Sequence, residues 1–325
     1  MKKHFKKLLL MALMAVMAVG LIACGTDKSD NESTKEEKTS VTITSLDASK
    51  NEIELEVPYN PKRIAILDLA SLDIIDELGV GDRVVGMAST SIDYLEKYSN
   101  DASIKNLGTI KEADLEAVME CEPDIIFIGG RLSKSYDALS EIAPVVYLAT
   151  DTNEGLVNSV SKNAKTIASI FGMEDKVDSL MSDFGARIDT IKKISSGKTA
   201  LVGMTTSGSF NLLGNDGRCS LIGVEAGFNN LTAAGSTSTH GNETSFETVV
   251  KQNPDYIFVI DRDSAISTAG AKTAKEIVEN ELVKTTDAYK NNHIIYLEHS
   301  NVWYTAEGGI QALDIMLKDL EKGLK

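Results

Sequence analysis

The chain contains an internal repeat. Residues 111–131 (KEADLEAVMECEPDIIFIGGR) align without a gap with residues 242–262 (NETSFETVVKQNPDYIFVIDR), and eight of the 21 aligned positions are identical. Composition alone predicts about one or two identities in a comparison of this length. Each copy has the pattern of a short helix, a Pro-Asp turn, a buried strand and a terminal arginine, Arg131 or Arg262. The repeat therefore predicts two lobes of similar architecture with an arginine at the same place in each.

Short apolar runs bounded by turn residues alternate with stretches of helical periodicity from about residue 60 onward. Strands are predicted at 63–67, 84–86, 125–128, 145–148, 200–202, 256–260 and 294–297, and helices at 71–78 and 114–120. This alternation is typical of parallel sheets covered by helices and predicts an α/β fold.

A different pattern separates the two halves. Between residues 154 and 195, apolar side chains recur every three or four residues and no proline interrupts them, which predicts an amphipathic helical segment. Gly172 either ends a first helix or bends a continuous one. The segment predicts a stiff interlobe helix between an N-terminal lobe, 41–153, and a C-terminal lobe, 196–325.

The N-terminal segment has the pattern of an export signal. Four lysines precede an uncharged apolar run at 8–23, which is shorter than the roughly 20 residues of a membrane span. The run ends in LIACG, which resembles a bacterial lipobox and predicts lipidation of Cys24; an ordinary cleaved signal is the alternative. We expect a signal peptide at 1–23, a polar tether at 24–40, and a lipid-anchored protein on the extracytoplasmic face of a membrane of Gram-positive type.

Charge and cysteine content exclude some classes of function. Asp and Glu total 48 against 33 Lys and Arg, a net charge of −15, which argues against nucleic-acid binding because that requires clustered cations. Apart from Cys24, the cysteines are Cys121 and Cys219, which lack a C-x-x-C spacing. One disulfide or two buried free thiols fit them, and neither suggests a metal site.

Arginine placement indicates a ligand site. The chain has only six arginines, and Arg131 and Arg262 follow strand ends, where ligands gather in open α/β sheets. Arg218 follows a glycine-rich loop (GNDGR) near another strand end. Solvated surface charges are the alternative interpretation. Three guanidiniums that converge on a cleft would suit a planar, oxygen-rich anion, because arginine binds such oxygens in a bidentate fork and stacks on aromatic planes.

Two further segments add possible iron ligands. His240 lies in a loop of small residues, and Tyr304 lies beside Trp303, the single tryptophan, just beyond the last predicted strand. An imidazole and a phenolate can both bind metals, and ferric iron prefers anionic oxygen. A surface histidine and a packed aromatic pair are the alternatives. A bare divalent-metal site is less favoured because, outside the signal, His293 and His299 are the only other histidines.

Several motifs together resemble one family. The lipobox, the repeat, STHGNETSFETVV and NVWYTAEGG are similar to siderophore-binding lipoproteins of iron ABC importers, in the branch for petrobactin and other catecholates, over nearly all of residues 41–325. The resemblance implies a class III solute-binding protein, in which a long rigid helix joins two Rossmann-like lobes. It implies no intrinsic cofactor; iron would arrive as a ferric siderophore complex in the interlobe cleft.

The resemblance also implies roles for individual residues. Arg131, Arg218 and Arg262 would form the anion pocket, with Trp303 among its contacts, and His240 and Tyr304 would complete iron coordination around a tetradentate catecholate. Glu116 and Glu247 would dock onto arginines of the ABC permease, ordinary solvated helix surface being the alternative.

Other functions remain as alternatives to siderophore binding. A haem- or cobalamin-binding protein of a related importer is one. A siderophore esterase is another, but no P-loop, GxSxG, HExxH or early GxGxxG motif is present. We expect a monomeric binding protein and not an enzyme.

Overall fold

A computed structural model describes residues 38–234 and 236–325. The predicted signal peptide, Cys24 and the tether up to residue 37 lie outside the described residues. Strand β1 begins at Ser40, so the folded part starts one residue inside the segment predicted as tether. Among the described residues, no helix has both the length and the apolar character needed to cross a membrane.

The N-terminal lobe is built on a parallel five-stranded sheet of order β5-β4-β3-β8-β9. Two small antiparallel pairs, β1 with β2 and β6 with β7, accompany it. The strands are β1 (Ser40–Leu46), β2 (Glu52–Pro58), β3 (Ile64–Leu67), β4 (Val84–Met87), β5 (Lys105–Asn106), β6 (Gly108–Thr109), β7 (Glu112–Ala113), β8 (Ile125–Ile128) and β9 (Val145–Tyr147). The helices are α1 (Leu69–Glu77), α2 (Glu96–Ser99), α3 (Leu115–Glu120) and α4 (Tyr136–Ser140), with 3-10 turns at Gly81–Arg83, Asp93–Leu95 and Gly130–Ser135.

The C-terminal lobe has a six-stranded sheet of order β13-β11-β10-β14-β15, with β12 also paired to β10. Its strands are β10 (Thr199–Thr206), β11 (Ser209–Leu212), β12 (Asn229–Asn230), β13 (Asn242–Glu243), β14 (Tyr256–Asp261) and β15 (Ile294–Tyr296). Its helices are α8 (Ser220–Gly223), α9 (Phe246–Gln252), α10 (Arg262–Ala265), α11 (Ala274–Val278), α12 (Asp287–Lys290), α13 (Ser300–Thr305) and α14 (Ile310–Gly323), with a 3-10 turn at Val283–Thr285. The predicted α/β fold is confirmed.

The second sheet is mixed, not wholly parallel as predicted. Strand β11 runs antiparallel to β10 because a two-residue loop joins them, and both loop residues have positive φ, 50° at Ser207 and 80° at Gly208. Such a loop matches the twist of a tight hairpin. The hairpin brings β11 and β13 to the edge of the sheet, where they carry the loop of His240.

The repeat corresponds to the same structural unit in each lobe. Asp124, in the first Pro-Asp turn, accepts a hydrogen bond from the backbone N–H of Arg63 at 2.9 Å, just before β3. Asp255, in the second, accepts from the N–H of Thr199 at 2.8 Å, where β10 begins. Asp124 thus links the start of β8 to the start of β3, and Asp255 links the start of β14 to the start of β10. The two lobes therefore align their central strands in the same way.

The interlobe segment is helical, as predicted, and of the two alternatives for it the continuous helix is excluded. It divides into α5 (Leu156–Phe171), α6 (Glu174–Leu180) and α7 (Phe184–Ser195). Gly172 ends α5 in the left-handed conformation, with φ of 67°, which glycine adopts without steric cost. Of the two roles left open for Gly172, the structure selects the helix end.

One hydrophobic core runs through both lobes. It includes Leu72 of α1, Ile167 of α5 and Leu317 of α14, all fully buried. Helix α14, although last in the chain, therefore packs against the first helix of the other lobe.

Cys121 and Cys219 are buried free thiols in the structure, which selects the second of the two alternatives for them.

Candidate functional site

Three guanidiniums surround the ring of Tyr304. Their Cζ atoms lie 5.7 Å (Arg131), 4.3 Å (Arg218) and 5.6 Å (Arg262) from the ring centroid, within the range of cation–π attraction. Arg131 enters from the turn after β8, and Arg262 is the first residue after β14. The mirrored arginines of the repeat therefore meet at one place between the lobes.

The backbone carbonyl of Tyr304 joins the two lobes at this point. Arg131, from the N-terminal lobe, donates to it from Nη2 at 3.0 Å, and Arg218 donates from Nη2 at 3.4 Å. Arg218 also donates from Nη1 to the carbonyl of Thr239 at 3.0 Å, while its buried Nε has no partner among the described residues. The guanidiniums are thus held in place but retain donor groups for a ligand.

Arg262 is fixed from the other side of the ring. Its Nε donates to the hydroxyl of Tyr304 at 3.0 Å, and its Nη1 donates to the hydroxyl of Thr206 at 3.2 Å. The buried carboxylate of Asp263 lies 3.3 Å from the same Nη1 and accepts the backbone N–H of Ser207. The β10–β11 hairpin therefore orients the second repeat arginine.

Like charges are crowded in this cluster. The pKa of Arg131 is lowered, first by its partial removal from water and next by the charge of Arg218. Glu307, which follows α13, lies near Arg218 and accepts the backbone N–H of Cys219 at 2.8 Å. Burial raises the pKa of Glu307 to about 7, so its negative charge is only partly present at neutral pH. An anionic ligand would relieve the repulsion among the guanidiniums.

Trp303 is a correction to the sequence-based prediction. Its indole has no exposed surface and donates from Nε1 to Asp319 of α14 at 2.9 Å. Asp319 also accepts from His299 Nδ1 at 2.8 Å. Successive residues of a helix point about 100° apart, so Tyr304 faces the arginines while Trp303 anchors the helix behind it.

Only one group of three or more His, Cys and acidic side chains in the described residues is close enough to share a metal ion. It comprises Glu298, His299 and Asp319, and it excludes His240. The carboxylate of Asp319 is already used by Trp303 and His299. The structure therefore does not support a bare divalent-metal site at the cleft.

His240 is exposed in the loop before β13. Asn211 of β11 holds this loop by donating from Nδ2 to the His240 carbonyl at 2.9 Å. The pKa of His240 is lowered, first by partial burial and then by the charges of Arg262 and Arg218, with Lys111 and Arg131 contributing less. The imidazole therefore lies in the field of the arginine cluster, which favours its neutral form, the form that binds metals.

Two cavities meet at Tyr304. One, of about 260 Å³, extends along α1 and α5 beneath Arg131 and is lined by Arg218 and Glu307. The other, of about 380 Å³, lies between the N-terminal lobe and α10 and contains Lys111. The sequence analysis assigned no role to Lys111 or to Glu307. The repeat aligns Lys111 with Asn242. This difference in charge between the two lobes is the sequence signal that could have identified Lys111.

The predicted docking glutamates occupy equivalent positions. Glu116 lies in the first turn of α3, which Asp114 caps, and Glu247 lies in the first turn of α9, which Ser245 caps. Both side chains are exposed. Hydrogen bonds from the backbone and from Ser245 lower the pKa of Glu247. Each lobe thus presents one carboxylate on the same helix of the repeat.

Comparisons with known proteins agree with this architecture. A family model described as periplasmic binding protein matches residues 64–300. The petrobactin-binding protein YclQ of Bacillus subtilis is 37% identical over 330 residues, which cover 98% of this chain and 99% of that protein. Its crystal structure matches with a TM-score of 0.81 and covers 88% of this chain and 99% of its own.

Two further solved structures are similar. The periplasmic catecholate-siderophore binding protein VctP of Vibrio cholerae is 30% identical, with a TM-score of 0.78 over 87% of this chain and 100% of its own. The iron uptake ABC transporter substrate-binding protein PiuA of Streptococcus pneumoniae is 32% identical, with a TM-score of 0.79 over 88% of this chain and 99% of its own. These similarities confirm the resemblance inferred from the motifs.

Proposed function

The chain belongs to the periplasmic binding protein family, and from this premise we propose that its interlobe cleft captures a ferric catecholate siderophore for an iron ABC importer. One observation carries the proposal: three guanidiniums, one from the N-terminal lobe and two from the C-terminal lobe, lie within 5.7 Å of the Tyr304 ring centroid. The name of VctP supports a catecholate siderophore, the name of YclQ supports petrobactin, and the name of PiuA supports an iron ABC importer.

The chemistry of the ligand matches the cluster. A ferric bis-catecholate carries net negative charge on planar aromatic rings, so it can accept charge-assisted hydrogen bonds and stack against guanidinium planes. Because the chain as a whole is acidic, with net charge −15, this local positive field is what makes the cleft suitable for an anion. Siderophore capture requires no chemical conversion of the ligand.

Iron coordination by the protein is part of the proposal. A tetradentate bis-catecholate leaves two positions on ferric iron open, and His240 and Tyr304 would occupy them. His240 is exposed and lies in the field of the arginines. The Tyr304 hydroxyl accepts a hydrogen bond from Arg262, which would stabilise a phenolate oxygen bound to iron.

Delivery of the ferric siderophore to the importer would use one exposed glutamate on each lobe. Glu116 and Glu247 are exposed, one on each lobe, and would pair with basic groups of two permease subunits. Lipidation of Cys24 would keep the monomeric protein on the extracytoplasmic face of the membrane. No intrinsic cofactor is needed, because iron is cargo.

The test is a titration of purified residues 38–325 with the ferric complex of a tetradentate bis-catecholate, followed by the fluorescence of Trp303. We expect Arg131→Ala to weaken binding about tenfold to hundredfold, since a charge-assisted hydrogen bond contributes roughly 1.5–3 kcal/mol. Lys134→Ala is the matched control, because it removes an exposed cation from the same turn. Equal affinity of the Arg131 variant and the wild type would overturn the proposal.

Two alternative functions predict different results with the same protein and ligand. A haem- or cobalamin-binding protein would bind those ligands more tightly than the ferric catecholate in competition. An esterase would release hydrolysed ligand on incubation. The relatives named above are binding proteins, which favours recovery of intact siderophore.

A further inference from the structure

A cavity of about 470 Å³ is lined by Arg218 but not by Tyr304. It is bounded by the connection from β9 to α5, by the loop before α8 and by the loop that leads to His240. Its polar lining consists largely of hydroxyl groups, from Thr150, Thr152, Ser220, Thr237, Ser238 and Thr239. No role assigned above uses this space.

The cavity adjoins the arginine site. Thr150, Arg218 and Glu307 line both this cavity and the 260 Å³ cavity beneath Arg131. Ligand sites in proteins usually have volumes of roughly 300–1,000 Å³. The smaller cavity alone falls below that range, whereas the two together fall within it. A ligand held by the guanidiniums would therefore need to extend only past Arg218 to reach the larger cavity.

The charge of the lining changes along the cleft. Asp151 and Asp216 line the larger cavity, and Arg218 is its one lining cation among the described residues. Hydrogen bonds from Thr237 lower the pKa of Asp216, so this carboxylate is ionised at neutral pH. The guanidinium of Arg218 is directed to the carbonyls of Thr239 and Tyr304. The cleft is thus cationic around Tyr304 and acidic beyond Arg218.

We propose that this cavity, the linker pocket, receives the polar chain that joins the two catecholates of the ligand. The linker pocket is defined by Thr150, Asp151, Asp216, Gly217 and Thr239. The hydroxyl groups hydrogen-bond the linker, and Asp151 and Asp216 favour a protonated amine within it. This inference rests on the proposed function, since it takes the anionic chelate to lie over the arginines.

Gly217 allows the pocket to be filled without strain. It lines the cavity, its φ lies outside the left-handed range, and a Cβ atom placed on it meets no other atom within 4 Å. Gly217→Phe therefore puts a ring into the linker pocket. Gly185→Phe is the matched control, because Gly185 lies on the exposed surface of α7 and also has open space around a Cβ.

The probes are three ferric complexes: an unlinked bis-catecholate, a bis-catecholate with a secondary amine in its linker, and an analogue with a methylene in place of that amine. Gly217→Phe should lower the affinity of both linked chelates at least tenfold and leave the unlinked complex unchanged. Asp151→Asn should weaken the amine-linked chelate about twofold to fivefold, the range of a solvent-exposed ion pair, and leave the methylene analogue unchanged. Gly185→Phe should change none of them.

Each outcome is decisive. If the wild type binds none of the ferric complexes, the proposed function fails. If it binds them and Gly217→Phe affects linked and unlinked complexes equally, or Asp151→Asn weakens both linked chelates equally, the proposed function stands and the linker pocket is wrong. Should Gly217→Phe not fold, the Asp151→Asn comparison decides alone.

Discussion

The carboxylate of Asp73 in α1 of the N-terminal lobe accepts the backbone N–H of Ala312, in the first turn of α14 in the C-terminal lobe, at 2.9 Å. It also accepts the N–H of Gln311 at 2.9 Å and the hydroxyl of Tyr94 at 2.7 Å. A Cβ atom at Gly309 would overlap this carboxylate. One lobe thus caps a helix of the other, which resists separation of the lobes.

This contact predicts a pH dependence of stability. Burial raises the pKa of Asp73 from 3.8 to about 6 in the folded protein. The Asp73 carboxyl therefore keeps its proton to a higher pH in the folded state than in the unfolded state. Its contribution to stability is lost as pH rises from about 4 through 6. The shift corresponds to about 3 kcal/mol. Urea titrations measure the free energy of unfolding of the wild type and of Asp73→Asn. The difference between them, wild type minus variant, should fall by about 3 kcal/mol between pH 4 and 7.

The control for this prediction is Asp93→Asn, which changes an exposed aspartate of the same lobe. Its stability should run parallel to that of the wild type across the range. Parallel curves for Asp73→Asn as well would show that burial does not shift the titration of Asp73.

Direct iron ligation predicts a spectral change. With a tetradentate ferric catecholate, His240→Ala combined with Tyr304→Phe should shift the charge-transfer band, because two iron positions pass from protein ligands to solvent. A hexadentate ferric catecholate leaves no open position, so its band should hardly change and serves as the internal control. Absorption titrations measure both, and equal changes for the two complexes would contradict direct ligation.

Docking through Glu116 and Glu247 predicts a loss of transport without a loss of binding. Both residues are exposed, and neither lines the cavities that meet at Tyr304. Changing both to Ala should reduce iron uptake by cells about tenfold or more, because two ion pairs with the permease are lost. Affinity for the ferric chelate should be unchanged. Glu174→Ala, on the exposed surface of α6, is the control; uptake equal to wild type in the double variant would exclude docking at these sites.

The buried Asp319 predicts an effect on the site through Trp303. Asp319→Ala leaves the Trp303 indole N–H and the His299 ring without their acceptor, at a cost of about 3 kcal/mol in stability. The fluorescence of Trp303 should shift to the red, and affinity for the ferric chelate should fall several-fold because the helix that carries Tyr304 is loosened. Asp314→Ala, which removes one of the two carboxylates that pair with Arg187 on the same helix, should lower stability without the red shift. An unchanged emission maximum in Asp319→Ala would contradict this account.

Local patterns in the sequence were sufficient to predict the α/β class and the parallel strands at the centre of each sheet. The strands and the helices before and after Pro123 and Pro254 follow from apolar period and turn residues, and the repeat places Arg131 and Arg262 at equivalent strand ends. These features depend on residues adjacent in the chain. The β1–β2 hairpin was not predicted, although Ile53, Leu55 and Val57 alternate with glutamates in β2, a pattern typical of a half-buried strand.

The sequence by itself therefore determined that two similar lobes exist and that an arginine ends a central strand in each. Only the tertiary structure decided which side chains share the cleft. Tyr304 faces the guanidiniums and Trp303 does not, because the packing of a short helix against α14 sets its rotation. The linker pocket, and the cavity that Lys111 shares with Tyr304, depend on distances between segments far apart in the chain. These distances are set by the common core and not by local pattern.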